Sequence, residues 1–311
     1  MTAFNVVMAA HDTRDTVASA IRSVLAQTRE DFELIVVDDG SSDGTPDAVR
    51  EFLADGRVRL LERPHEGVAA ARGAGVAAGS APLVALIDSD DLWMPGYLQA
   101  MGAALDADPG AALAYTDAWF LEERRRRVRR ASAMAYQRPP EPPPVTADEL
   151  FAALTERNFI FNAVTLRRAA IEAVGPPDVR LRAMIDWEWW LRLAARGQRA
   201  VRVPGRWAVY RQRPASISKA PALVAAGQRD LWRIVAEEYD LAPEVRERLR
   251  ARSRRFDAQV AALDGRRPLA GARWRARRAV ANARKRLTYA RDHHAEPPPE
   301  LREAFGDLRT V

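Results

Sequence analysis

Leu83-Val-Ala-Leu-Ile-Asp-Ser-Asp-Asp91 is an apolar run that ends abruptly in acid. A strand covered on both faces is near-continuously apolar, so Leu83 to Ile87 reads as a buried strand with Asp88 at its carboxyl end. Open α/β sheets bind their ligands beyond that end. Alternate strand residues project to the same side, which groups Asp88 with Asp90 and turns Ser89 away. Two carboxylates so placed suit a hard divalent ion, whose remaining coordination is filled by water or substrate phosphates. The same acids would also serve as solvated caps for the helix beginning near Pro95.

Outward from this strand the pattern repeats. Asn5 to Ala10 is a short apolar strand, and Asp12 to Gln27 carries Val17, Ala20, Ile21, Val24 and Leu25 on one helical stripe. Phe32 to Val37 is a second strand that runs into Asp38-Asp-Gly-Ser-Ser-Asp-Gly-Thr45, followed by a helix with Ala48, Val49 and Phe52. Arg57 to Leu61 reads as a third strand, and Gly67 to Gly79 as a helix of small residues packing tightly on the sheet. The alternation predicts an α/β layer fold with a mostly parallel central sheet flanked by helices. Acids after Val37 and after Ile87 then overlook one crevice. A phospho-acceptor receiver would need a lysine near such aspartates, and the first lysine is Lys219. Gly73, Gly75 and Gly79 are spaced one residue too far for a dinucleotide fingerprint, and no strand precedes them.

Composition narrows the chemistry. The 311 residues are 48% hydrophobic, enough for one large or two modest domains with a real core. Without cysteine there is no disulfide frame, thiolate nucleophile or cysteine-bound zinc, and the four histidines form no HxxxH pair. A metal here would be held by carboxylates. Met1 leads straight into a strand, with neither a leader pattern nor a run long enough to span a membrane, so the expected location is cytoplasmic, peripheral at the inner face of the membrane.

Several ordered motifs over roughly a hundred residues resemble those of the family 2 glycosyltransferases of GT-A fold. Ala9-Ala-His11, Ser23-Val-Leu-Ala-Gln-Thr28 and Asp38 to Thr45 follow the family pattern, as do Gly67, Ala71, Arg72 and Gly75. Asp88-Ser-Asp-Asp91 falls where the family has its Asp-x-Asp motif. The resemblance implies an inverting, metal-dependent enzyme that moves a sugar from a nucleotide diphosphate, most commonly UDP, to an acceptor hydroxyl, in cell-surface polysaccharide or glycolipid synthesis. It places Ala10 and His11 against the nucleotide, Asp39 at the base, Asp88 near the ribose, and Asp90 on a Mn²⁺ or Mg²⁺ ion bridging the diphosphate. Arg72 would meet the nucleotide or pair with a sheet-end aspartate, the second being favoured. His11 stands where tyrosine is usual and Gly73 where asparagine is usual, which leaves the nucleoside open.

The second half carries the remaining candidates. Trp93 to Leu105 reads as a helix, Ala111 to Phe120 as a strand, and Glu122 to Pro144 as a long arginine- and proline-rich excursion, solvated or turned toward an anionic acceptor. A helix over Ala147 to Leu154 and a strand over Phe159 to Leu166 follow. Met184 to Ala194 has apolar residues 187, 190, 191 and 194 on one helical face, with Asp186 at its start. An aspartate there is a common N-cap; in the family pattern it is the catalytic base. Val201 to Tyr210 is a further strand, and Arg213 stands at the family's histidine position near the diphosphate, keeping a cation there without a metal-ligand role.

The expected division is 1–110 for nucleotide-sugar binding, 111–220 for the acceptor half of the same domain, and 221–311 for a basic helical extension. Val245 to Arg291 holds sixteen basic residues against Glu247, Asp257 and Asp264, in a chain whose net charge is +6. The rest is therefore acidic on balance. Such helices suit an anionic membrane surface beside a lipid-linked glycan acceptor, a partner, or the catalytic domain itself. A nucleic-acid-binding protein with a degenerate transferase half is the rival reading, although the basic run holds no recognised nucleic-acid motif and no nucleic-acid partner is expected.

Overall fold

The computed structural model describes residues 2–122, 127–129, 133, 137, 139–212, 220–263, 299 and 309–310. At its centre β1 (Phe4–Ala10) runs parallel to β2 (Phe32–Asp39) on one side and to β4 (Leu83–Asp88) on the other, with β3 (Val58–Arg63) outside β2. Both faces of β1, β2 and β4 are covered, which is why these three are largely apolar, whereas the edge strand β3 exposes Arg59, Glu62 and Arg63. Phe4, Val6 and Met8 pack with Val17, Ile21 and Val24 of α1 (Arg14–Leu25) and with Tyr97, Leu98 and Met101 of α4 (Tyr97–Ala107). On the opposite face Ile35 and Val37 meet Ala71 of α3 (Val68–Ala78). Small residues let α3 lie close: a Cβ at Gly75 would stand 2.4 Å from Val7 Cγ1. A short α2 (Thr45–Arg50) joins β2 to β3.

Beyond β4 the sheet turns antiparallel. β8 (Val164–Arg167) pairs with β4, and β6 (Ala111–Glu122) pairs with β8. The long β9 (Arg199–Gln212) runs parallel to β6, with a register shift at Thr116 to Ala118. The remaining helices are α5 (Ala147–Glu156), α6 (Arg168–Val174), α7 (Ile185–Ala195), α8 (Pro221–Glu238) and α9 (Pro243–Leu263). They gather with Leu113, Tyr115 and Leu166 around the buried Trp187, Trp190 and Trp232.

Three expectations change, and one of the alternatives left open for the C-terminal region is met. Leu92–Trp93 is not helix but a short strand, β5, antiparallel to β9, and the helix starts only after Pro95-Gly96. The arginine-rich excursion is structured in part: Arg127–Arg129 forms β7 against β6, because Val128 is fully buried with Trp119 and Leu121. Of Phe159 to Leu166 only the last residues are strand, since Asn158 and Asn162 turn their amides toward the acids described below. Residues 221–263 pack on the catalytic half, whereas the stripe expected from Ala272 to Ala290 lies outside the described residues.

Candidate active site

The register of β1 brings the acids together. Ala10 pairs with Asp38 and Ala9 with Asp88, so both acidic strand ends flank the end of β1. Most of the Asp38 to Thr45 segment locks the loops around that point. The backbone amides of Asp12 and Thr13 donate to Ser41 Oγ at 2.9 Å and Thr45 Oγ1 at 2.8 Å, and Arg14 N to Asp43 Oδ2 at 2.9 Å. Gly40 has φ +70°, and a Cβ there would come within 2.8 Å of His65 N. Side chains other than glycine rarely adopt that conformation.

Asp39 is buried, and its carboxylate accepts from Glu66 N at 2.8 Å and Gly67 N at 2.9 Å, holding the β3–α3 loop. The same loop delivers His65, whose Nδ1 lies 2.9 Å from Asp39 Oδ2. His65 stacks on His11 with ring centroids 4.1 Å apart, and both Nδ1 atoms approach the Asp39 carbonyl, at 3.0 and 2.8 Å. The outward face beside Asp39 and the buried Ala10 is therefore a pair of half-exposed imidazoles.

Asp88, Asp90 and Asp91 each offer a carboxylate oxygen within 4.8 Å of the others, the third member being one the sequence did not single out. An all-oxygen cluster of this kind fits a divalent cation such as Mn²⁺ or Mg²⁺. Asp91 is buried, and burial, reinforced by the charges of Asp90 and Asp88, pushes its carboxyl well above the usual range. It also accepts from Arg211 N at 2.9 Å, tying β9 to the acidic turn, while the Arg211 guanidinium reaches Ser19 Oγ at 2.8 Å. Arg72 pairs with Asp88 Oδ1 at 2.7 Å, the favoured sheet-end role, and Asn162 Nδ2 donates to the same oxygen at 2.9 Å.

Asp186 closes the crevice from the other half. The helix cap is Met184, in a left-handed conformation with φ 64° and no side-chain cap, so Asp186 is a first-turn residue and not the N-cap. Asn158 Nδ2 donates to Asp186 Oδ2 at 3.1 Å. Burial raises its carboxyl above the ordinary aspartate range; Arg72 and the Trp187 amide oppose the rise, and Asp88 adds to it. Asp186 thus feels both partners of the Arg72–Asp88 pair, which places the candidate base and the metal-type acids in one electrostatic unit.

His11, Asp39, Arg72, Asp88, Asp90 and Asp186 all line this region, and Arg213 lies outside the described residues. His65, Asp91, Asn158, Asn162 and Arg211 were not read from the sequence. The two asparagines had left a trace: Asn158 stands just before the apolar run from Phe159 to Leu166, and Asn162 interrupts it.

A parallel β3-β2-β1-β4 half with acids at its strand ends, joined to a mixed half that brings a carboxylate across the crevice, is the layout of a GT-A glycosyltransferase. Residues 5–175 match the family model described as Glycosyl transferase family 2, and the chain belongs to that family. Succinoglycan biosynthesis protein ExoO of Rhizobium meliloti (strain 1021) is 33% identical over 239 residues, 73% of this chain and 67% of that protein. The Escherichia coli UDP-Glc:alpha-D-GlcNAc-diphosphoundecaprenol beta-1,3-glucosyltransferase WfgD is 38% identical over 96 residues, 30% of this chain and 38% of its own length. Among solved structures, S. aureus TarS 1-349 in complex with UDP-GlcNAc aligns with TM-score 0.60 at 15% identity, over 84% of this chain and 74% of that one. The mannosyltransferase PcManGT from Pyrobaculum calidifontis, in complex with GDP-Man and Mn²⁺, aligns with TM-score 0.60 at 17% identity, over 93% and 83%. At those identities the two structures establish the shared fold. The protein is a glycosyltransferase.

Proposed function

We propose that the chain transfers a sugar, with inversion, from a nucleoside diphosphate to an acceptor hydroxyl in cell-surface glycan assembly, with Asp186 as base and Asp90, beside Asp88, as metal ligand. The observation that carries the reading is the three-carboxylate cluster with the Arg72–Asp88 pair, bridged toward Asp186 by Asn162 on Asp88 and Asn158, four residues earlier, on Asp186. A bound divalent cation supplies Lewis-acid stabilisation of the departing diphosphate. Asp186 takes the acceptor proton as that oxygen attacks the anomeric carbon from the face opposite the leaving group, so configuration inverts in one displacement without a covalent glycosyl-enzyme. Asn158 orients the carboxylate, and Arg72 offsets the cost of its negative charge. By the family resemblance, Arg213 would supply a cation for the diphosphate. UDP is the donor nucleoside favoured by the family resemblance and by the names of WfgD and the TarS complex; the base stacks beside the His11–His65 pair. A lipid-linked glycan is the acceptor favoured by the name of WfgD.

The exposed Arg248, Arg250, Arg254 and Arg255 of α9, with the basic run after it, support a second element: peripheral attachment to an anionic leaflet at the cytoplasmic face. Among the described residues no helix is long and apolar enough to cross a membrane. The test of the main reading is release of nucleoside diphosphate from UDP-, dTDP- and GDP-sugars, with Mn²⁺, with Mg²⁺ and with chelator. Metal-dependent release from one nucleoside class is expected. Release unaffected by chelator removes the metal from the account, and no release from any donor rejects it.

A further inference from the structure

Asp186 stands on a helix buried along most of its length, and part of that cover comes from α8 and α9, beyond the matched family segment. Ile185, Trp187, Glu188, Trp189, Trp190 and Leu191 are all buried. Three residues of the C-terminal hairpin reach the three positions that bracket Asp186. Gly227 of α8 lies against Ala183: a Cβ added at Gly227 would stand 2.7 Å from Ala183 Cβ and 2.9 Å from Ala183 O. Glycine is a poor helix former, and this one allows α8 to touch the backbone just before the left-handed Met184. Trp232, wholly buried, meets Trp187 edge to face with ring centroids 5.0 Å apart, and the Arg252 guanidinium lies 4.0 Å over its ring. The Tyr239 hydroxyl donates to Glu188 Oε1 at 2.7 Å, and Arg192 Nε meets the same oxygen at 3.1 Å.

Residues 183, 187 and 188 are thus gripped by residues 227, 232 and 239, while Asp186 is left facing the crevice. We infer that Gly227, Trp232 and Tyr239 are positioning residues, which set the height and rotation of the first turn of α7 and so the placement of the Asp186 carboxylate against the acceptor hydroxyl. The inference rests on Asp186 being the base. None of the three touches the acidic turn at Asp88 to Asp91 in the contacts above, so their influence is on turnover and not on donor binding. A misplacement of about 1 Å is enough to cost roughly a hundredfold in rate.

The experiment measures release of nucleoside diphosphate from saturating UDP-glucose with Mn²⁺, water serving as acceptor, together with UDP affinity and thermal melting. Gly227→Ala should lower turnover roughly ten- to a hundredfold, with UDP affinity within about twofold of wild type. Adding Ala183→Gly to that variant removes the nearest opposing atom and should raise turnover again, which a general loss of stability would not produce. Trp232→Phe, which keeps an aromatic ring in the core, should show the same split more weakly and decides the matter where Gly227→Ala fails to fold. Glu237→Gln, on the exposed face of α8, should leave turnover unchanged. Wild-type turnover in folded Gly227→Ala or in Trp232→Phe, or equal losses of turnover and UDP affinity, overturns the inference. Asp186→Asn run in parallel separates the two ideas. Near-normal release there sinks the base assignment itself, whereas a strong loss there with normal Gly227→Ala sinks only the positioning role.

Discussion

As proposed base and metal ligand, Asp186 and Asp90 both need an ionised carboxylate. The proposed base must be ionised, yet burial raises its carboxyl, so activity should fall on acidification at a higher pH than an ordinary aspartate would dictate. The acid limb of the pH–rate profile should lie above the usual aspartate range and vanish in Asp186→Asn; a limb at ordinary aspartate pH would contradict the assignment. Because its folded-state proton affinity is raised, this group stabilises the fold most below the unfolded pKa, and that contribution is lost as pH rises through the folded value. Replacing the charge at neutral pH should therefore not lower the melting temperature. Asp186→Asn should still cut turnover by roughly 10²- to 10⁴-fold, the usual contribution of a positioned base, or about 3 to 5 kcal/mol of barrier. Donor affinity, measured calorimetrically, should stay near wild type. At this scale Asp88, Asp90 and Asp186 were legible because each follows an apolar run or sits in a family motif. Asn158, Asn162 and Arg211 were not, because an amide or guanidinium acquires its role only when a distant strand brings it a carboxylate partner.

Elements were legible where burial is periodic. The strands β1, β2 and β4 and the stripe of α1 follow from the sequence because each has a defined covered surface. α7 was read as one-faced, but Trp189 and Leu193 are buried as well, and the Trp189 indole N–H donates to Gly175 O at 3.0 Å, a partner that local periodicity does not show. β5 was read as helix because pairing with β9 is a long-range fact: Met94 N donates to Trp207 O at 2.9 Å, more than a hundred residues away. The hairpin itself is held as core. Trp232 is fully buried beneath Arg252, whose guanidinium also reaches the carbonyls of Thr155 and Glu156. Trp232→Ala should therefore destabilise the fold by about 3 to 5 kcal/mol, the cost of emptying an aromatic site. Denaturant unfolding checks it, and a loss under about 1 kcal/mol would mean that the hairpin is only loosely applied.

Across the whole molecule, charge is divided: acids collect at the strand ends of the crevice, and arginine at the C-terminal region. Because α8 and α9 belong to the core, the membrane test must remove only what lies beyond residue 263, since cutting at 220 would bare the apolar face of α7. Full-length chain should co-sediment with anionic vesicles more strongly than a chain ending at residue 263, and less so in high salt; equal sedimentation would reject a membrane role for that segment. The overall architecture was legible from the order of its motifs, whereas the joining of the two halves through β9 and Asp91 was not, because a buried acid that braces a strand looks in sequence like another ligand. The central claim is that the acidic turn holds a divalent ion for a nucleoside diphosphate. Calorimetric titration of UDP into the wild-type protein and Asp90→Asn, each with Mn²⁺ and with chelator, tests it most directly. Binding that requires Mn²⁺ in the wild type and disappears in an equally stable Asp90→Asn protein is the result expected, and UDP binding of equal affinity in both proteins, with or without metal, would contradict it.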